Sequence, residues 1–205
     1  MLPQSSPAGS NLRQARRLFL EQGELPPGLI DEGLARSWRR SLVAGLAPAG
    51  RLPEAPRLTA SELERVVERQ RELVAHAQPV MEHLHAQVRD SQSMVILAGT
   101  GGLLVNVMGD PDFLTRAERV ALAPGTSWLE QYRGTNAIGT ALAEAVAVEI
   151  NGAEHFLERN GFLTCAAAPI LDPAGQVLGV LDISGDQRTR HPHTLGLVRT
   201  AAQMI

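Results

Sequence analysis

One cysteine, six histidines and the stretch RGTNAIGTAL (Arg133 to Leu142) hold most of the side chains in this sequence that could do chemistry. Cys165 is the natural nucleophile, but a reactive thiolate needs a neighbouring base or a helix N-terminus to lower its pKa. Its sequence neighbours Thr164, Ala166, Ala167 and Ala168 supply neither, so a buried cysteine packed as a small hydrophobe is the plainer reading. The same small side chains could leave a hollow above a strand, with Cys165 and Ala167 on one face and Thr164 and Ala166 on the other. His155, in Glu154-His155-Phe156, could bond a carbonyl or hydroxyl of a bound compound, since imidazole both donates and accepts. Its plain alternative is a loop histidine bonded to backbone, with Phe156 anchoring the loop. His83-x-His85 and His191-Pro-His193 suit a metal poorly: helical ligand pairs need a spacing of about three or four residues, and no four ligands converge in sequence. No metal and no cofactor is assigned.

The stretch 133–142 is not a nucleotide-phosphate loop. All 19 basic residues are arginine, and a Walker loop needs a lysine. Gly134 is placed to end a helix that starts near Trp128, with Ser127 and Glu130 as its capping box. Thr135 or Asn136 is placed to cap the next helix, and Gly139 to admit a backbone or a ligand at close range. Trp128, Tyr132 and Asn136 recur every four residues. With Ile138 they are assigned to a pocket wall, the Tyr132 hydroxyl and Asn136 amide serving as polar handles. The competing reading makes Trp128 plain core and Asn136 only a cap. Arg36, Arg39 and Arg40 cluster around Trp38, either as a solvated helix face or as a contact to phosphates or an acidic partner.

The elements that must position these groups follow from composition and period. With 205 residues, 44% of them apolar, the chain can form one domain with helical extensions. Aromatics are 3%, so the core must be Leu, Val and Ala, and a large aromatic cage or base-stacking platform is not expected. A net charge of −3 argues against a nucleic-acid surface. No apolar run approaches the roughly 20 residues that cross a bilayer, and the first residues lack a signal-peptide layout; the expectation is a cytoplasmic protein. Residues 1–9 read as disordered. A helix capped by Ser10 carries Leu12, Ala15 and Phe19 and stops at Gly23. Residues 24–30, with Pro26-Pro27-Gly28, read as a linker. A helix capped by Asp31 follows, with Leu34, Trp38 and Leu42, and residues 46–58 form a second linker.

Thr59 and Glu62 make a capping box for a helix reaching Arg89, on the order of 45 Å long and kinked at Pro79. That is more apolar face than one small domain covers, so Leu63, Val66, Leu73, Val80 and Leu84 are assigned to a dimer seam. Beyond Ser91 the period shortens. Met94–Ala98 and Leu103–Met108 flank Gly99-Thr100-Gly101-Gly102 as a hairpin. Residues 110–122 read as a loop or short helix. Val146, Val148 and Ile150 mark a half-buried strand ahead of the Asn151-Gly152 turn. Residues 162–171 and 176–184 form a second hairpin, turned by Asp172-Pro173-Ala174-Gly175, and 193–205 an outgoing helix. Segregated antiparallel hairpins with outer helices make an α+β sandwich. It divides into a helical segment with linkers (1–58), a connecting helix (59–90) and a sheet domain (91–205).

Four stretches, "ARSWRRSLVAGL", "WLEQYRGTNAIGTAL", "EHFLERNGFLTCAAAPILDPAGQVLGVLDISG" and "HTLGLVRTAAQMI", carry a family resemblance. Together they resemble the N-terminal sensory region of sigma-54-dependent transcriptional activators of the acetoin and dihydroxyacetone regulator type, over most of the chain from about residue 31. The resemblance implies a GAF domain: an antiparallel sheet with helices on one face and a pocket on the other. It also implies a downstream ATPase and a helix-turn-helix, neither of which lies in these residues.

The reading is therefore a non-catalytic sensory module. Trp128, Tyr132, Asn136, Ile138, His155, Phe156, Thr164 and Cys165 are expected to hold a small uncharged or carbonyl-bearing metabolite. The partners expected are that effector and a second copy of the chain, with sigma-54 RNA polymerase and DNA reached only through the downstream domains, and no membrane. Two alternatives stand beside it. The module could regulate through protein contacts alone, or, with Cys165 as nucleophile, act as a GAF-fold sulfoxide reductase.

Overall fold

Short β-branched runs punctuated by glycine become the two hairpins that organise the molecule. The computed structural model describes residues 7–23, 25, 28–51 and 53–205. Strands β1 (Ser93–Gly99) and β2 (Leu104–Gly109) form the first hairpin, and β4 (Leu163–Leu171) and β5 (Val177–Asp186) the second. With β3 (Val148–Asn151) they make one five-stranded sheet in the order β2-β1-β5-β4-β3, antiparallel at every pairing. The second hairpin turns where expected: Gly175, at φ +81°, donates its N–H to the Asp172 carbonyl at 2.9 Å.

Both faces of this sheet are covered by helices, and that differs from a sheet with one face left for a pocket. Met94, Ile96, Ala98, Leu104, Cys165, Ala167 and Val180 point to one face. There they share a core with residues of α1 (Pro7–Gln22), α2 (Glu32–Val43), α5 (Pro111–Glu118) and α7 (Ala137–Glu144). Val95, Leu97, Ala166, Ala168, Leu181 and Ile183 point to the other, against α4 (Arg71–Val88) and α8 (Thr194–Ala202). A strand buried on both sides carries apolar residues at consecutive positions rather than alternate ones, as β1 does along its whole length.

Several local expectations are corrected. The first helix starts at Pro7, ahead of Ser10. The expected disorder at 1–9 falls largely outside the described residues, as do Pro26 and Pro27 of the first linker. The capping box at Thr59 and Glu62 forms, but the long helix is two. It ends at Arg69 as α3 (Ala60–Arg69), and Gln70, at φ −105° and ψ 20°, joins it to α4. The Gln70 amide lies where a side chain on Gly99 would stand, 2.7 Å from a Cβ built there. The break thus coincides with a close approach of Gln70 to the end of β1. Pro79 stays inside α4 on its exposed side, where a carbonyl that loses its partner can turn to water.

The break also reassigns the proposed seam. Val80 and Leu84 are buried against the chain's own sheet, and Val66 and Leu73 pack half-buried beside them. Leu63 is half-buried on α3. Most of the apolar stripe is thus consumed within one chain.

Candidate functional site

The stretch 133–142 resolves into a short helix, a glycine stop and a capped helix. α6 (Glu130–Arg133) ends at Gly134, whose φ of +62° a side chain would oppose. No side chain caps its start: Ser127 Oγ donates instead to the Gly101 carbonyl. Asn136 caps α7, its Oδ1 accepting from the Gly139 N–H at 2.8 Å. Its Nδ2 donates to the Trp128 and Gly134 carbonyls at 2.9 and 2.7 Å. Both N–H donors of that amide are thus used within the chain. Gly139 is required for a close approach, but of backbone: a Cβ there would stand 2.8 Å from the Trp128 carbonyl oxygen.

The outer side of α7 is fastened to α2. Buried Glu130 accepts from Ser37 Oγ, Thr140 Oγ1 and the Arg40 guanidinium. Arg40 also reaches Glu144 at 2.6 Å, and Arg36 holds Glu144 at 2.7 Å. Bonds first from Arg36, then from Arg40, bring the Glu144 carboxyl down to about 2. Arg36 and Arg40, read as a solvated face or an anion contact, are thus paired within the chain, and Arg39 stays exposed.

Beneath the inner side of α7 the sheet carries a polar row through an apolar core. His155, Cys165, Asp182 and Ser184 are each 3% exposed or less. Register places them: Cys165 faces Ser184, and Asp182, two residues back on β5, lies between Ala167 and Ile96. Ser184 Oγ donates to Asp182 Oδ2 at 2.6 Å and lies 3.1 Å from Cys165 Sγ. His155 Nε2 is 3.6 Å from that sulfur, and its Nδ1 is 3.1 Å from the Gly152 carbonyl. A ring nitrogen facing a carbonyl must carry the proton, which leaves Nε2 to accept from the thiol. Among the described residues Asp182 Oδ1 has no partner.

Electrostatics keep the row neutral. Burial pushes the Asp182 carboxyl up to about 7, against the bond from Ser184. Burial brings His155 down to about 4, with the Arg16 charge acting in the same direction. The Cys165 thiol is raised by burial and then by Asp182. The base that sequence adjacency did not supply is therefore present in space. The row still yields no thiolate–imidazolium pair, because burial disfavours both ions. What it offers is a hydrogen-bonding line on an apolar floor, with one acceptor unfilled.

The eight side chains assigned to a ligand separate. Trp128, Asn136, Ile138, His155, Phe156 and Cys165 are buried in the core under α7 and the 152–157 loop, and Trp128 Nε1 donates to the Ala121 carbonyl at 2.8 Å. Tyr132 instead lines a surface depression of about 780 Å³ with Arg39, Leu129 and Leu142. Thr164 faces the opposite side of the sheet. It lines a cleft of about 450 Å³ with Ser93, Ile183 and Leu197, and its hydroxyl bonds Asn151 Oδ1. Asp182 and Ser184 were missed, although two polar residues at alternate positions of the apolar run Val180–Ser184 mark one strand face. Among the described residues no helix is long and apolar enough to cross a membrane, and no group of three His, Cys, Asp or Glu is placed to hold a metal.

Known proteins share this architecture. Over 84% of this chain and 59% of its own, the structure of the Escherichia coli DhaR(N)–DhaL complex superposes with a TM-score of 0.79 at 18% identity. The acetoin dehydrogenase operon transcriptional activator AcoR of Bacillus subtilis is 32% identical over 92% of the chain and 31% of its own length. The propane 2-monooxygenase operon transcriptional activator MimR of Mycolicibacterium smegmatis is 31% identical over 96% and 33%. The chain thus spans about a third of the length of these curated relatives. The family model of the MimR N-terminal domain matches residues 8–205, and the chain belongs to that family, the regulatory N-terminal part of transcriptional activators.

Proposed function

We propose that this chain is the sensory region of a sigma-54-dependent activator, without catalysis of its own. In this reading it binds a small neutral compound bearing a hydroxyl or carbonyl group at the row His155–Cys165–Ser184–Asp182. The observation that carries the proposal is Asp182 Oδ1, fully buried and without a partner among the described residues. Native interiors rarely leave such an atom unfilled, and a ligand hydroxyl would fill it. Below a pH of about 7 the Asp182 carboxyl is protonated, so it can also donate to a carbonyl. A charged effector fits poorly, because burying an ion in this apolar core is costly unless it is paired. The small residues around the row, Ala137 and Ala141 of α7 and Ala167 of β4, favour a compound of a few carbons. Occupancy matters only if the compound prefers one arrangement of the surrounding helices over another.

The test is a panel of small ketones, hydroxyketones and diols, read as a shift in thermal midpoint. Excess ligand at about 100 times its Kd stabilises by about 2.7 kcal/mol. A shift that Asp182→Ala abolishes supports the row. An equal shift in that variant, or none with any member, overturns it. The second outcome would favour regulation through protein contacts. The Tyr132 depression, bordered by Val43 at 88% exposure, is the surface for that reading, and the DhaR(N)–DhaL neighbour is a complex of two proteins.

A further inference from the structure

The row is closed from outside by the loop 152–160, and four consecutive carbonyls of that loop end on the N-terminal helices. Arg16 of α1 donates to the carbonyls of Ala153, His155 and Phe156 at 3.1, 2.9 and 2.7 Å. Trp38 Nε1 of α2 takes the fourth, Glu154, at 2.7 Å. Farther along, the Glu158 N–H donates to the Pro48 carbonyl and Arg159 to that of Gly50.

Arg16 makes no direct ion pair among the described residues; its charge is met by these three carbonyls, by the Trp38 ring, 5.8 Å away, and at longer range by Glu158. A guanidinium spans several acceptors at fixed angles in a way an ammonium cannot. Apart from Arg16, α1 is seated by Ala15 and by Phe19, whose ring lies 5.7 Å from that of Trp38. The other cover, α7, is fastened by the buried Glu130 cluster and by the Asn136 bonds. The loop under α1 is held by its own buried Phe156 and Leu157 and, from outside, by Arg16 and Trp38.

Resting on the reading of the row as a ligand site, we infer that α1 gates it. Arg16 is the positioning residue that seats His155 over Cys165, and a compound reaches the row when Arg16 releases the loop. A helix that barely touches the sheet thereby controls access to it.

Cys165 is the one cysteine of the chain, so its labelling by a thiol reagent in the folded protein reads the gate directly and needs no effector. Arg16→Gln, which removes charge-assisted bonds, should raise the labelling rate without denaturant on the order of 10- to 100-fold. Arg16→Lys, which keeps the charge but cannot span three carbonyls, should fall between the two. The added labelling should show a shallow dependence on urea, the mark of local opening. Unchanged labelling in Arg16→Gln overturns the gate, and so does acceleration with the steep urea dependence of global unfolding. Failure of the metabolite panel with accelerated labelling would sink the ligand and leave the gate. A metabolite that binds with labelling unchanged would sink the gate alone.

Discussion

Replacing Asp182 by Asn should change how stability depends on pH more than it changes stability at any single pH. Asp182 titrates near 3.8 when unfolded and at about 7 in the fold. Its contribution is fully present at low pH and is lost as the pH rises, because above 3.8 the unfolded chain releases a proton that the folded chain keeps. Each pH unit is worth about 1.4 kcal/mol, so roughly 4 kcal/mol is lost by pH 7. His155 runs the other way. Its folded value of about 4 lies below 6.5, so its contribution is present above 6.5 and is lost as the pH falls toward 4, to the extent of roughly 3 kcal/mol. Over pH 4–6.5 the two slopes nearly cancel, and the native protein hides both. Asp182→Asn removes the falling slope. Its stability relative to the native protein should climb by roughly 4 kcal/mol from pH 4 to pH 7. His155→Gln should do the reverse, losing ground by roughly 3 kcal/mol between pH 4 and 6.5. Urea unfolding followed by circular dichroism at half-unit pH steps measures both, and the difference from the native protein cancels groups common to all three. Parallel profiles for Asp182→Asn and the native protein would refute the claim that a buried, neutral acid sits in the row.

The α6–α7 corner supplies two further expectations. Asn136→Ala removes the cap of α7 and leaves the Trp128 and Gly134 carbonyls without their donor, which should cost about 2–4 kcal/mol in urea unfolding. Gly139→Ala places a methyl 2.8 Å from the Trp128 carbonyl oxygen and 2.9 Å from the Glu130 nitrogen. Both are backbone and cannot give way, so a loss of more than about 2 kcal/mol is expected in the same assay.

The parts of this fold that were legible in the sequence are those set by local chemistry. The Thr59 capping box, the Asn136 cap, the Gly134 stop and the Asp172–Gly175 turn each depend on residues within a few positions of one another. What was not legible depends on register or on distant contacts. Gln70 interrupts the apolar stripe, but that its amide meets the end of β1 where the helix breaks is visible only in the fold. His155 and Cys165 stand 10 positions apart, and only the path of the 152–160 loop brings the ring over the thiol. The grip of Arg16 on Phe156 spans 140 positions. Asp182 and Ser184 are the instructive omission. Their alternation was readable, but its meaning requires knowing that β5 is central and covered on both faces.

The proposed ligand row and the outgoing helix lie on opposite faces of the sheet, and β4 and β5 belong to both. Along β5, Asp182 and Ser184 alternate with Leu181 and Ile183, which pack in the core shared with Val198 and Ala201 of α8. Along β4, Cys165 alternates with Ala166, which faces the same core. A compound held at the row under α7 would press on strands whose other side is the floor of α8 and α4. Interiors are close-packed and do not absorb such a displacement by compression, so, beyond the 152–160 loop, it must reappear either as movement of α8 or as movement of α7. The second route is the stiffer, because Glu130, Thr140 and Glu144 tie α7 to α2. On α8, by contrast, Leu197 borders the open 450 Å³ cleft, and Met204 just beyond its end is 68% exposed. If the row is where a signal enters, the asymmetry of these anchors sends it across the sheet and out along α8.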